Sequence, residues 1–123
     1  MKRRSTEEMT SRDIVVEFIE NCKDDERAWD YSDVRGHDRL LARRTALVEE
    51  LKRRDGDQRK TLLPLYRHES VQVRLMAARV TLAVAPREAR AVLERIRDSR
   101  ELPYALHAGM ALFAVDEGIY TPS

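Results

Sequence analysis

The sequence has few of the residues that build disulfide-linked, glycine-loop or membrane-embedded proteins. Its 123 residues include one cysteine, four glycines and four prolines, and only 6% are aromatic. The lone cysteine, Cys22, excludes an intramolecular disulfide and a cysteine-rich zinc site. The four glycines are scattered and do not form a phosphate-binding loop. No apolar run approaches the length of a membrane span, so no membrane association is expected.

The N-terminal residues Met1-Lys2-Arg3-Arg4 are positively charged, but no apolar stretch follows them. A secretory signal peptide needs such a stretch after its basic residues. We therefore expect a cytoplasmic protein.

Opposite charges nearly cancel, leaving a formal net charge of +1. Residues 1–30 are acidic, with 6 Lys and Arg against 9 Asp and Glu, and residues 31–100 are basic, with 17 Lys and Arg against 10 Asp and Glu. Residues 101–123 are acidic again, with 3 Asp and Glu and no Lys or Arg. Charged helix faces usually serve solvation and surface ion pairs. The near-zero total argues against nucleic acid, although the basic segment 31–100 keeps a nucleic-acid-binding alternative open.

The abundant residues Ala, Leu, Arg and Glu favour helix over strand. Six segments have helical periodicity, at about 11–21 or slightly beyond, 38–54, 58–67, 70–85, 86–97 and 103–117. Residues 24–36, which include Trp29 and Tyr31, fit either a helix extension with a turn or an ordered loop. The sequence pattern indicates no role for these two aromatic residues.

Helix boundaries carry recognisable signals. Ser70 is placed to cap the segment at 70–85, Pro86 suits the first position of the next helix, and Gly118 suits the position after the last one. Gly56 lies in a turn between two helices. Pro64 interrupts the segment at 58–67, where an interior proline removes a backbone hydrogen bond and bends the axis.

A repeat of 30 residues relates two parts of the chain and indicates successive helix pairs that share core positions. The shift superposes Leu62 on Val92, Leu63 on Leu93, Tyr66 on Ile96, Ala78 on Ala108, Val80 on Met110 and Leu82 on Leu112.

The stretch Leu62-Leu63-Pro64-Leu65, followed by Val73-Arg74-Leu75-Met76-Ala77-Ala78 and Leu82, resembles a HEAT repeat. A longer set of residues is similar to a small bacterial family of unknown function whose fold is like HEAT and armadillo repeats. This set comprises Arg39-Leu40, Glu50-Leu51, Val73-Arg74-Leu75, Ala77-Ala78, Leu82-Ala83, Pro86, Ala89-Arg90 and Gly118. The resemblance implies a fold but no activity or cofactor.

Together these patterns predict an all-α protein, a right-handed α-α superhelix of about three stacked antiparallel helix pairs. Residues 1–123 are expected to form a single HEAT-like domain, with about 1–9 and 119–123 as tails. Cys22 lies on an apolar helical stripe and is predicted to be a core thiol.

No arrangement of residues points to catalysis. The histidines His37, His68 and His107 lack partners at metal-ligand spacing. Paired carboxylates, such as Asp24-Asp25-Glu26 and Glu49-Glu50, are expected on solvated helix faces because neighbouring residues on a helix diverge by about 100°. We therefore expect no enzyme, metal site or cofactor.

The remaining candidates are partner-binding residues. Arg74 is expected to pair with an acid or a carbonyl group of a neighbouring repeat. Gln72, Met76, Arg79 and Ala83 form the least apolar stripe of the segment at 70–85, and Tyr104 and His107 from the segment at 103–117 are expected to join it. The candidate partner-binding residues are Gln72, Arg79, Tyr104 and His107.

The predicted function is a non-catalytic protein–protein interaction scaffold of unknown partner that uses the surface lined by the helices at about 70–85 and 103–117. Second helices of stacked pairs usually line the binding face of a helical-repeat protein. A homodimer is one form expected for this interaction. The alternatives are the nucleic-acid-binding module and, with least support, an enzyme of unrecognised type.

Overall fold

The computed structural model describes residues 4–27 and 34–123, and every regular element in these ranges is helical, with no β-strand. The predicted all-α class is confirmed for this part of the chain. The described residues do not include Trp29 and Tyr31. The prediction of helix or loop for residues 24–36 therefore lies outside them, except at the two ends of that segment. No helix that the structure describes is both long and apolar enough to span a membrane.

Five α-helices and two 3₁₀ segments make up the described elements. The α-helices are α1 (Ser11–Arg27), α2 (Val34–Arg53), α3 (Val71–Val80), α4 (Pro86–Asp98) and α5 (Tyr104–Asp116), and the 3₁₀ segments are Thr6–Glu8 and Gln58–Arg67. The chain divides into two compact units, unit 1 (Met1–Thr61) and unit 2 (Leu62–Ser123), each described by itself below.

Several helix boundaries are set by the predicted capping residues. The Ser70 hydroxyl accepts a hydrogen bond from the Val73 amide at 3.2 Å, as an N-cap side chain should. The Thr10 hydroxyl accepts one from the Asp13 amide at 3.0 Å at the start of α1. After α5, Gly118 has φ +70°, the left-handed conformation that glycine adopts without strain.

The sequence predicts that the helix after Ser70 continues to Ala85. This end is wrong, because α3 ends at Val80 and residues 81–84 form a turn. The Thr81 hydroxyl donates to the Ala77 carbonyl at 2.7 Å, a local bond that competes with continued helix. Pro86 disfavours helical geometry at the residue before it, and Ala85 accordingly has φ −145° and ψ 65°.

The segment at 58–67 is helical as predicted, but it is a 3₁₀ helix instead of an α-helix. Pro64 lies inside it and cannot donate a backbone hydrogen bond. The Tyr66 hydroxyl forms a hydrogen bond with the Thr81 hydroxyl and so ties this segment to the turn after α3.

In unit 1, α1 packs on α2. Ile14, Phe18 and Cys22 of α1 and Leu47 and Leu51 of α2 are fully buried. Burial raises the pKa of the Cys22 thiol to about 12, with the nearby Asp25 carboxylate adding to the effect and Arg44 opposing it. The predicted core position of Cys22 is confirmed.

Arg54 joins the N-terminal residues to α2. Its guanidinium donates to the carbonyl groups of Thr6 at 3.1 Å and Met9 at 2.5 Å, and to the Glu50 carboxylate at 2.8 Å. Hydrogen bonds from Arg53 and Arg54 hold the pKa of Glu50 below its usual range. Met9 is buried, so residues near 9, which the sequence pattern assigns to a tail, are part of unit 1.

A buried polar network also lies between α1 and α2. The Arg44 guanidinium donates to the Asn21 side-chain oxygen at 2.9 Å and to the Asp25 carboxylate at 3.4 Å, and all three side chains are buried. The Asn21 amide donates to the Leu40 carbonyl at 2.9 Å. The other Asp25 oxygen is 2.8 Å from Nδ1 of the half-exposed His37.

The predicted solvated position is therefore wrong for Asp25, and also for Glu50, which Arg53 and Arg54 bind. Both carboxylates face a cation on a neighbouring turn or helix, and this pairing compensates for their removal from water.

In unit 2, α4 packs against both α3 and α5, and α3 also touches α5. One stripe of α4 is buried, consisting of Ala89, Val92, Leu93 and Ile96. The other positions of α4 are mostly charged and lie at least partly in solvent. The buried residues of α3 and α5 on either side are mainly alanine and other apolar residues.

Leu82→Ala is expected to lower the free energy of unfolding by about 2–5 kcal/mol, the usual range for a buried leucine truncation. Leu82 is only 7% exposed, in the turn after α3. Denaturant melts followed by circular dichroism measure the change. Leu41→Ala on α2, where the side chain is 46% exposed, is the control and should cost clearly less. A loss below about 0.5 kcal/mol for Leu82→Ala, the size of ordinary surface substitutions, would contradict its core position.

The Asp25–Arg44 pair is expected to show coupling in a double-mutant cycle. Asp25→Leu and Arg44→Met should each cost about 3–5 kcal/mol, since each leaves the other charge buried and unpaired. The double variant should cost less than the sum, because neither charge remains. His37→Ala, at the exposed end of the network, should cost less than about 1 kcal/mol. Additive single costs would show that the two charges do not depend on each other.

Candidate partner-binding surface

The last helix, α5, is apolar on nearly every side. Its thirteen residues contain no lysine or arginine, and their one carboxylate, Asp116, lies at the C-terminal end. Ala105, Ala108 and Leu112 point into unit 2 and are buried. A helix that is apolar all round normally has neighbours on several sides. Within unit 2, the main packing partners of α5 are α4 and α3.

The uncovered side of α5 carries large apolar side chains. Leu106, Met110 and Phe113 recur at helical spacing and are 57–60% exposed, and Ile119 beyond the helix is 72% exposed. These four residues are called the α5 face. They border a shallow groove of about 460 Å³, whose lining also includes the small residues Ala105, Gly109 and Ala114.

The position of Ile119 follows from the way α5 ends. The Gly118 amide donates to the Val115 carbonyl at 3.2 Å and the Ile119 amide to the Ala114 carbonyl at 2.9 Å. This pair of bonds around a left-handed glycine is a Schellman motif. It turns the chain back over the last turn of α5, so that Ile119 borders the same groove as Phe113.

A bidentate ion pair fixes α5 against α4. The Arg90 guanidinium donates to both carboxylate oxygens of Asp116, at 2.8 and 3.0 Å. The hydrogen bonds from Arg90 hold the pKa of Asp116 below its usual value. Paired N–H groups and carboxylate oxygens favour one geometry, so the pair orients the end of α5 on unit 2.

The stripe predicted on the segment at 70–85 is only partly exposed. Arg79 and Ala83 are exposed, whereas Gln72 and Met76 are buried, so the predicted binding role of Gln72 has no accessible side chain behind it. Neither the oxygen nor the nitrogen of the Gln72 side chain has a hydrogen-bond partner in the described part of the protein. Gln72 therefore does not belong to an accessible surface.

The two candidates from the last helix are accessible to different degrees. His107 is exposed, and Tyr104 is partly buried at the first position of α5. Side chains three residues apart are neighbours on a helix, so His107 lies beside both Tyr104 and Met110. His107 consequently borders the α5 face, and Arg79 belongs to α3, which touches α5.

Unit 2 also contains a smaller, more polar pocket of about 280 Å³. Tyr66, Arg74, Arg95, Ser99 and Glu101 are among its lining residues. The Arg74 guanidinium is bonded to the carbonyl groups of His68 and Glu69, at 2.7 and 3.2 Å. Arg74 thus pairs with carbonyl groups, but these belong to the loop directly before its own helix α3, so the predicted pairing with a neighbouring repeat is wrong.

The α5 face was missed from the sequence, which assigns only Tyr104 and His107 of the segment 103–117 to the binding surface. The signal was the run from Tyr104 to Val115, which lacks any acid, lysine or arginine. A helix with a solvent-facing side normally carries charges there. Among the residues that the structure describes, no cluster of three potential metal ligands occurs.

Comparisons with known proteins place the chain in a family but give no activity. A crystal structure of the protein RPA1889 from Rhodopseudomonas palustris CGA009 is similar at a TM-score of 0.91 and 39% sequence identity. The alignment covers 99% of this chain and 100% of that one. None of the curated proteins matches the chain. The model of the family described as Domain of unknown function (DUF2019) matches residues 12–116, and the chain belongs to this family.

Proposed function

We propose that this protein is a non-catalytic, cytoplasmic protein–protein interaction scaffold whose binding surface centres on α5. The observation that carries the proposal is the α5 face, in which four large apolar side chains lie open to solvent beside one another. Soluble proteins rarely leave such side chains clustered unless another molecule covers them.

The size of the α5 face supports this function. Exposed fractions of 57–73% on Leu106, Met110, Phe113, Ile119 and the neighbouring Leu102 leave roughly 600 Å² of open apolar surface, at the top of the range for the largest patch of a monomer. Covering it corresponds to roughly 15 kcal/mol at about 25 cal/mol per Å², of which the costs of association leave only a part. The groove is apolar and shallow, so it suits a protein surface better than a small polar ligand.

The finer fold is also part of the proposal. We infer one HEAT-like domain over 1–123, a right-handed superhelix of about three stacked helix pairs. The 30-residue repeat supports it within unit 2, because the equivalent residues are buried together in three cases: Leu62 and Val92, Ala78 and Ala108, and Leu82 and Leu112. In a superhelix of this kind α3 and α5 are the equivalent second helices of successive pairs.

Arg79, Tyr104 and His107 extend the proposed surface beyond the α5 face. Arg79 and His107 are exposed, and Tyr104 and His107 follow one another along α5. Tyrosine and arginine often contribute most to the binding energy of protein interfaces. The tyrosine ring or the methylene chain of arginine packs against the partner, and the polar end of the side chain forms hydrogen bonds. Gln72 is left out of the surface because it is buried.

Ion pairing within the protein supports a protein partner over a nucleic acid. A nucleic-acid-binding face needs cations gathered toward phosphates. Many arginines of the basic segment 31–100 instead face carboxylates of the same chain: Arg43 with Glu17, Arg44 with Asp25, Arg53 and Arg54 with Glu50, Arg59 with Asp57, and Arg90 with Asp116.

The double substitution Arg79→Ala, Tyr104→Ala is expected to weaken partner binding at least about tenfold, corresponding to some 1.4 kcal/mol. The measurement is recovery of a bound protein when the tagged chain is expressed in its native host, followed by titration of the purified pair. Arg87→Ala on α4, an exposed arginine outside the proposed surface, is the control and should bind normally.

Two outcomes would contradict the proposed surface. Unchanged affinity in the double variant would remove Arg79 and Tyr104 from it. Recovery of DNA or RNA, with an affinity that falls steeply as salt rises, would favour the nucleic-acid alternative, because phosphate contacts release counterions.

A further inference from the structure

We infer that the α5 face is covered by the α5 face of a second copy of this chain, with the two α5 helices antiparallel about a two-fold axis near Gly109 and Met110. The inference rests on the proposed function, since it names the partner of the same surface. Three features of the described residues support a second copy: the register of large and small side chains, the charges at the ends of α5, and the area.

The order of residues along α5 is self-complementary. A two-fold axis between positions 109 and 110 sets Leu106 opposite Phe113 of the second copy and Gly109 opposite its Met110. Leu106, Met110 and Phe113 therefore each meet an apolar residue, and the groove beside Gly109 receives the partner's larger side chains.

The charges of α5 also favour an antiparallel pair. Asp116 and Glu117 lie at its C-terminal end, and neither a basic residue in the last turn nor an acidic residue in the first turn offsets the helix dipole. Arg90 of α4 pairs with Asp116, which leaves Glu117 beside the partial negative charge of the C-terminus, where a carboxylate is unfavourable. An antiparallel neighbour places its positively polarised N-terminus beside Glu117.

At the other end of α5 no side chain caps the helix, because Pro103 occupies the N-cap position. The positive end of the α5 dipole therefore lies at an N-terminus that has no acidic residue in its first turn. Within the pair, Glu117 of each copy lies near this N-terminus of the other, so the same contact forms twice.

The area matches what a dimer requires. A stable interface buries about 800 Å² on each partner. The α5 face with its exposed neighbours Leu102 and Tyr120 offers roughly this much apolar surface. Residues 101–123 contain no lysine or arginine, and the Arg97 side chain of α4 lies beside Gly109. A second copy covers a surface of its own size.

The mass of the protein in solution tests the pairing. Sedimentation equilibrium over a wide concentration range should give a reversible dimer of twice the 14.3 kDa chain mass. Phe113→Glu should raise the dimer dissociation constant at least a hundredfold, because it places two carboxylates in an apolar interface. Val16→Glu on α1, where an equally exposed apolar residue lies in unit 1, is the matched control and should leave the dimer intact.

Circular dichroism melts of both glutamate variants establish that they fold. Met110→Glu serves as a second disruptive variant should Phe113→Glu be unfolded, and it should have the same effect. A wild-type chain that stays monomeric at every concentration, or a Phe113→Glu dimer as tight as the wild type, would overturn the inference.

Cross-linking tests the antiparallel register. Mixed chains carrying Leu106→Cys and Phe113→Cys should form the mixed disulfide on oxidation, while the buried native Cys22 remains unreactive. A parallel pair would instead join each variant to itself, and would refute the arrangement.

The inference and the proposed function fail in different ways. A monomeric wild type whose capture of another protein is abolished by Phe113→Glu would refute the homodimer and keep the scaffold. A monomeric wild type whose capture of other proteins is unaffected by that substitution would refute both.

Discussion

The open surface of unit 2 depends on the one apolar stripe of α4. This stripe, from Ala89 to Ile96, has to cover both α3 and α5, because the rest of α4 is mostly charged and faces solvent. A stripe of this kind spans a limited arc of the helix surface. It can therefore bury only the near side of α5. Since α5 is apolar on its far side as well, that side remains exposed.

The Arg90–Asp116 pair adds orientation to this packing. Hydrophobic contacts between α4 and α5 alone permit some rotation of α5 about its axis, since its sides are chemically alike. A bidentate ion pair has one favoured geometry and selects one rotation. The choice matters because it determines which residues of α5 face outward, among them Leu106 and Phe113.

Features set by neighbouring residues were predictable from the sequence. The cap at Ser70, the start of α4 at Pro86, the left-handed Gly118 and the burial of Cys22 all follow from local chemistry or simple periodicity. The sequence resembles a small family of unknown function, and the chain does belong to a family described in this way.

The errors occur where distant residues decide the outcome. Asp25 is buried because Arg44, nineteen positions later, faces it across the helix pair. Gln72 is a polar residue of a largely apolar helix, and periodicity alone assigned it to the surface. The candidate surface was only partly predicted, since recognition of the α5 face requires knowing how many sides of α5 the fold covers.

The pattern of helix contacts has a consequence for how quickly each unit folds. The principal contacts join helices adjacent in the sequence: α1 with α2, α3 with α4, and α4 with α5. Short connections make the entropy cost of closing each helical hairpin small. Proteins dominated by such local contacts fold in microseconds to milliseconds. Each hairpin can then form before the rest of its unit, and the inward side of α5, with Ala108 and Leu112, is exposed to water for only a short part of folding.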